Sequence, residues 1–189
     1  MSPVFDDRSD IAAVVYAPGD DPDAVLADLA ARAELAGFGV AGILQHRLND
    51  PRQPGRNVGF RIIVPGRAAA SGAPAPLATA ERCGDILVPA LEQVSLAVRR
   101  KPDLLILSRF GRMELEGGGF LSVLEQAAVH EIPAVIAVPE AIFTPLRAFV
   151  GGLCVRLRCD RGVVWQWWER VGGSAPTRSG PATICALAK

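Results

Sequence analysis

The chain has 189 residues, 50% of them hydrophobic, and its 20 Lys+Arg balance its 20 Asp+Glu. This length and apolar content suit one globular domain with a sizeable core. A formal net charge of zero excludes the broad basic field that holds nucleic acid or an anionic membrane surface, so neither is expected as a partner, while local anion sites stay open.

The opening residues, MSPVFDDRSD, are acidic and lack a basic segment followed by an apolar one, so no signal peptide is expected. No uninterrupted apolar run approaches the roughly 18 residues of a membrane span. Reduced thiols at Cys83, Cys154, Cys159 and Cys185 and a cytoplasmic location are the corresponding expectations.

Ile11–Tyr16 (IAAVVY) shows no polar alternation, as expected of a strand buried on both faces. In the APGDDPD segment that follows, Asp21 can cap a helix whose first residue is Pro22. Val25, Leu26, Leu29, Ala33 and Ala36 recur at helical spacing, and Gly37 stops the helix. Val40–Gln45 is a second strand. After a polar turn over 47–56, Val58–Val64 is a third strand, at an edge. The Ala/Pro/Gly-rich stretch at 65–80 reads as a disordered loop, with a functional lid as the alternative.

Ile86–Arg100 reads as a helix with Leu87, Leu91, Val94 and Val98 inward. Asp103–Ser108, almost pure Leu and Ile, is the candidate for the sheet centre. A helix over 119–130, a strand at Pro133–Val138 and short helical pieces around Pro145 follow. Leu153–Leu157 alternates as a strand, with Arg156 and Arg158 facing out. Gly162–Arg170, with Trp165, Trp167 and Trp168, fits helix and strand equally. The expectation is an α/β, three-layer, mostly parallel-sheet domain over 1–171, followed by a loosely ordered tail over 172–189.

Ligands of open parallel sheets sit at the carboxyl ends of the strands. After the first strand, a phosphate loop would need G-x-x-x-x-G-K-[ST]. Here Gly19 is the only glycine of the turn, no Lys is present, and Asp20, Asp21 and Asp23 repel phosphate. Helix capping is the plain reading and an acidic cation site the alternative. Cys154 and Cys159 are spaced C-x4-C, but no second pair completes a zinc set, and no metal is expected.

After the central strand, SRFGRMELEGGG gathers Arg109, Gly111, Arg112, Glu114, Glu116 and Gly117, Gly118 and Gly119 ahead of a helix starting near Phe120. Two guanidinium groups, approachable glycine backbone and free helix amides can form an oxyanion pocket, with Glu114 and Glu116 orienting the arginines. A plain turn with its charges paired in solvent competes with that reading, and a protein contact is a third. Gly19 and Asp20 join these as candidate ligand-binding positions. The tryptophan cluster reads as a packing or subunit-contact surface, which leaves a homo-oligomer open.

Residues 108–115 resemble the DEIGxMEL segment that follows the Walker B strand in nucleoside-triphosphatases of the thermophile, cancer-related type. Gly111, Met113, Glu114 and Leu115 match. Ser108 and Arg109 replace the two acidic residues that, in that family, bind magnesium and activate water. Over residues 10–155 the chain is also similar to a bacterial NTPase-like family of unknown function, often encoded beside molybdate-transport genes. The shared features are an opening VVYxPGDD, the FGRMELEGGG run, RAFVGGL near residue 147 and a central Cys83.

These resemblances imply a P-loop-NTPase-like fold with degenerate motifs. The expected function is binding of a small anion or nucleotide, with molybdate a candidate and no cofactor certain, and without hydrolysis. One alternative is a divergent nucleotide or phosphoryl hydrolase with Glu114 as base and Asp20 or Asp21 on a metal. The other is a regulatory partner-binding protein that uses the tryptophans.

Overall fold

Apolar runs with no polar face must be covered on both sides, and the computed structural model shows how this chain covers them. It describes residues 10–47, 58–65 and 83–172. The expectations for residues 66–80 and 173–189, and for the Cys83 side chain, lie outside the described residues.

Six strands, β1 (Ile11–Tyr16), β2 (Val40–Arg47), β3 (Val58–Ile63), β4 (Leu104–Leu107), β5 (Ala134–Pro139) and β6 (Val155–Arg158), form one sheet in the order β3-β2-β4-β5-β1-β6. All neighbouring pairs are parallel except β2 and the edge strand β3. Val14 of β1 lies between Ala137 of β5 and Leu157 of β6. The helices are α1 (Pro22–Leu35), α2 (Cys83–Val98), the single turn α3 (Arg112–Leu115), α4 (Leu121–Val129), α5 (Phe143–Phe149) and α6 (Arg161–Val171).

Alternate residues of each strand feed two cores. Ala13, Val15, Leu105, Leu107 and Ile136 pack with Val94 and Val98 of α2 and Val123 and Leu124 of α4. Ala12, Val14, Leu104, Ile106 and Val135 pack with Leu26 and Leu29 of α1 and Val164, Trp167 and Trp168 of α6. The architecture is therefore the expected three-layer α/β sandwich of a mostly parallel sheet between helical layers.

Local chemistry sets the element ends. The Asp21 carboxylate accepts the Ala24 N–H at 3.1 Å ahead of Pro22, and the Asp160 carboxylate accepts the Val163 N–H at 2.9 Å to start α6. Ala36 is the C-cap of α1 and is exposed, rather than part of its inward stripe. Pro145 falls in the first turn of α5, where its missing N–H is tolerated. Residues 162–170, undecided from sequence, are helical.

Candidate functional site

The carboxyl end of β4 meets the start of α1. Ser108 and Arg109 lie just beyond β4, joined by a cis peptide. The Ser108 hydroxyl donates to Asp23 Oδ1 at 2.8 Å and Arg109 Nε donates to the same oxygen at 3.3 Å. Arg109 Nη2 donates to Asp23 Oδ2, completing a two-pronged ion pair. The guanidinium carbon sits 5.4 Å from the centre of the Tyr16 ring at the end of β1. Burial opposes the charge on Arg109, but the hydrogen bonds and charge of Asp23, with smaller help from Tyr16, outweigh it and raise its pKa. Arg109 thus has its charge paired within the protein, by Asp23. Sequence reasoning missed Asp23 as that partner, reading it only as a repeller of phosphate.

The rest of the glycine-rich loop divides in two. Arg112 turns to solvent and pairs with Glu116 at 2.7 Å, four residues on, with side chains 89% and 63% exposed. This is the solvent pairing of the plain-turn reading, and Arg112 does not converge with Arg109. Glu114 turns inward and is only 6% exposed. Its Oε2 accepts the Gly111 N–H at 2.9 Å and its Oε1 the Phe120 N–H at 3.3 Å. It ties the two ends of the loop and orients neither arginine. Burial pushes its carboxyl above the usual range, against the opposing pull of these backbone N–H groups.

The three glycines have structural employment. Gly117 N–H bonds the Glu114 carbonyl at 3.1 Å and Gly118 N–H the Met113 carbonyl at 2.8 Å, the paired closure of a Schellman motif. Gly119 has φ +60, and a Cβ there would lie 1.9 Å from Glu114 Oε1. Two of the three amides expected to cradle a ligand are therefore occupied, and the third position makes room for a buried carboxylate.

The segment after β1 is a tight turn. Asp20 N–H bonds the Ala17 carbonyl at 3.1 Å across Pro18 and Gly19, whose φ is +102. The Asp20 carboxylate closes the turn by accepting the Ala17 N–H at 2.8 Å. No extended loop wraps a phosphate here. The cation-site alternative is not supported, since no group of three or more His, Cys, Asp or Glu among the described residues could hold a metal ion.

One strand further along the sheet, the ends of β5, β1 and β6 enclose an open cleft of about 370 Å³. Its polar lining is Asp20, Glu140, Arg156, Arg158 and Asp160, with Tyr16 as the aromatic wall. Arg156 Nη2 bonds Glu140 at 2.7 Å, and its guanidinium lies 5.3 Å from the centre of the Phe143 ring. Arg158 is exposed and has no salt-bridge partner among the described residues. The sequence placed Arg156 and Arg158 outward, but their position at the carboxyl end of a parallel strand was not weighed. The signal was available, since an arginine at the carboxyl end of a parallel strand stands where open sheets bind ligands.

The tryptophans, expected as a packing or subunit-contact surface, take the packing role. Trp167 and Trp168 are 2% and 1% exposed in the core beneath α1 and α6. Trp168 meets Phe38 edge-on at 5.2 Å, and Trp165 is half-buried beneath Arg32. They form no exposed contact surface. Cys154 and Cys159 are free thiols flanking β6. Burial pushes Cys154 up to about 11. Burial, together with Asp20, Asp21, Asp160 and Asp23, does the same for Cys159. No helix of the described residues is long and apolar enough to cross a membrane.

Fold and site together define an open-sheet α/β protein with a strand-end cleft and, where a phosphate loop would stand, a short acidic turn. The chain belongs to the family described as "Protein of unknown function (DUF2478)", whose pattern matches residues 11–167. It is 34% identical over 171 residues to the protein named "Molybdenum import ATP-binding protein ModC 2" of Bradyrhizobium diazoefficiens, covering 86% of this chain. It spans only 18% of that relative's length. The crystal structure of THEP1 from the hyperthermophile Aquifex aeolicus superposes with a TM-score of 0.47 at 18% identity, over 82% of this chain and 94% of that one.

Proposed function

We propose that this protein binds a small anionic ligand, an oxyanion or a nucleotide, in the cleft at the ends of β5, β1 and β6, and that it does not hydrolyse nucleoside triphosphates. The observation that carries the reading is Arg158, an arginine without an ion-pair partner among the described residues, in a cleft whose size falls in the range of small-molecule sites. Arg156 beside it can share the ligand if Glu140 yields. The surrounding parts support the non-hydrolysing half of the proposal. Asp20 fills the first turn, Ser108 and Arg109 are engaged by Asp23, and both oxygens of Glu114 are held by backbone N–H groups. Among the described residues at the ends of β1 and β4, these engagements leave no phosphate cradle of the kind phosphoryl transfer uses.

The likeness to a protein named for molybdenum import and ATP binding supports including molybdate and ATP among the ligands. Titration calorimetry with ATP, GTP, molybdate and tungstate tests the proposal, alongside a phosphate-release assay. Binding that Arg158→Gln weakens about tenfold, the scale of one charge-assisted contact, supports it. Silence from every ligand at millimolar concentration, or steady phosphate release, defeats it.

A further inference from the structure

The cleft carries unpaired charge of both signs. Arg158 and Arg156 are two residues apart on β6 and share one face of the strand. Arg156 is taken by Glu140. The same cleft is lined by Asp20 from the turn after β1 and by Asp160, two residues beyond Arg158 at the cap of α6. Each of these carboxylates accepts one local N–H, from Ala17 and Val163 respectively. That fixes each side chain without an ion pair, and Asp160 also sits at the positive end of α6. Neither lies within salt-bridge distance of Arg158 or of any other cation among the described residues. Cys159, between Arg158 and Asp160 in sequence, has its thiol pKa raised first by burial and then by the charges of Asp20, Asp21, Asp160 and Asp23.

Opposite charges that line one cleft without pairing leave a gap for a molecule bearing both. A bare oxyanion or a nucleotide gains Arg158 but also meets the lining carboxylates Asp20, Glu140 and Asp160, so either binds more weakly here than an anion that carries a cation with it. We infer that the cleft selects a bipolar small molecule, one that places an anionic group on Arg158 and an amino or ammonium group between Asp20 and Asp160. This inference rests on the anion-binding reading and names its ligand class.

Titration of the full chain with 2-aminoethyl phosphate, ethyl phosphate and inorganic phosphate tests it. The aminoethyl compound binds about tenfold or more tightly than ethyl phosphate, the scale of one charge-assisted contact. Asp20→Asn combined with Asp160→Asn keeps a side-chain oxygen to accept each backbone N–H and brings the two affinities together, whereas Arg158→Gln weakens both. Equal binding of the two esters by the wild-type chain overturns the bipolar inference and leaves the anion site standing. Absence of binding by all three probes at millimolar concentration overturns both.

Discussion

Asp23 and Arg109, 86 residues apart in the chain, form a two-pronged ion pair that ties the first turn of α1 to the end of β4. Their side chains are only 13% and 18% exposed, so the pair is shielded from salt far better than the surface pair of Arg112 and Glu116. Removing one partner leaves the other charge half-buried and uncompensated. Asp23→Asn and Arg109→Met each lower unfolding stability, with a coupling of about 2 kcal/mol in a double-mutant cycle. Arg112→Ala changes stability by less than about 0.5 kcal/mol. Urea denaturation of the four variants measures all of this, and additive single effects at Asp23 and Arg109 would remove the lock.

Glu114 closes the loop from inside. Glu114→Gln keeps one acceptor oxygen but presents an NH2 group to a backbone N–H where even the protonated carboxyl keeps an oxygen, so it costs about 1–3 kcal/mol at acid pH. Gly119→Ala costs a similar amount by a different route, driving a methyl group into the same carboxylate. The pH dependence has a definite sign. The folded pKa of Glu114 is raised, so the folded state binds its proton more tightly than the unfolded state does. Its contribution to stability is full below the ordinary glutamate range and falls as pH rises through the folded value. The stability difference between wild type and Glu114→Gln therefore shrinks from acid toward neutral pH. Denaturation midpoints at a series of pH values check this, and a difference that grows over that window contradicts the burial argument.

The fold was legible because its strongest signals are local. IAAVVY, LLIL and AVIAV have no polar face to expose, so each had to be a buried strand, and Asp21-Pro22 marked the start of α1. The site was far less legible. Arg109 and Arg112 are the same residue three positions apart, and only tertiary structure shows that one finds Asp23 while the other faces solvent. Gly117–Gly119 would read the same as a ligand cradle or as a helix stop. The difference lies in which carbonyls their N–H groups reach. The two tryptophans of the core sit beside Gln166, Glu169 and Arg170 in sequence, and that polar company hid their buried helical spacing.

Burial of that pair makes a second stability test. Trp168 is almost wholly enclosed against Phe38 and the β1–β6 face. Trp168→Ala lowers stability by about 3–5 kcal/mol. Trp165→Ala loses only a half-buried ring and its stacking with Arg32, 3.9 Å from the ring centre, at a cost of about 1 kcal/mol. Similar costs for the two variants would mean that α6 is not packed by the face described.

Cys159 offers a chemical readout of the cleft. The thiolate is the form that reacts with iodoacetamide. With its pKa pushed up to about 11, roughly one Cys159 thiol in a thousand is ionised at pH 8. Alkylation of the Cys159 peptide, followed by mass spectrometry, is accordingly slow at pH 8 and accelerates about tenfold per pH unit until near pH 11. Part of the shift is burial and part is the negative charge of Asp20, Asp21, Asp160 and Asp23. Replacing Asp20 and Asp160 together by Asn lowers the Cys159 pKa and speeds its reaction at pH 8–9, without reaching the rate of a free thiol because burial persists. Cys154 is the internal control. It is also raised to about 11, by burial and with no aspartate among the causes, so the same substitutions leave its rate unchanged. If Cys159 reacts at pH 8 as fast as a free thiol, or if the double variant leaves it unchanged, the acidic wall of the cleft does not have the field ascribed to it.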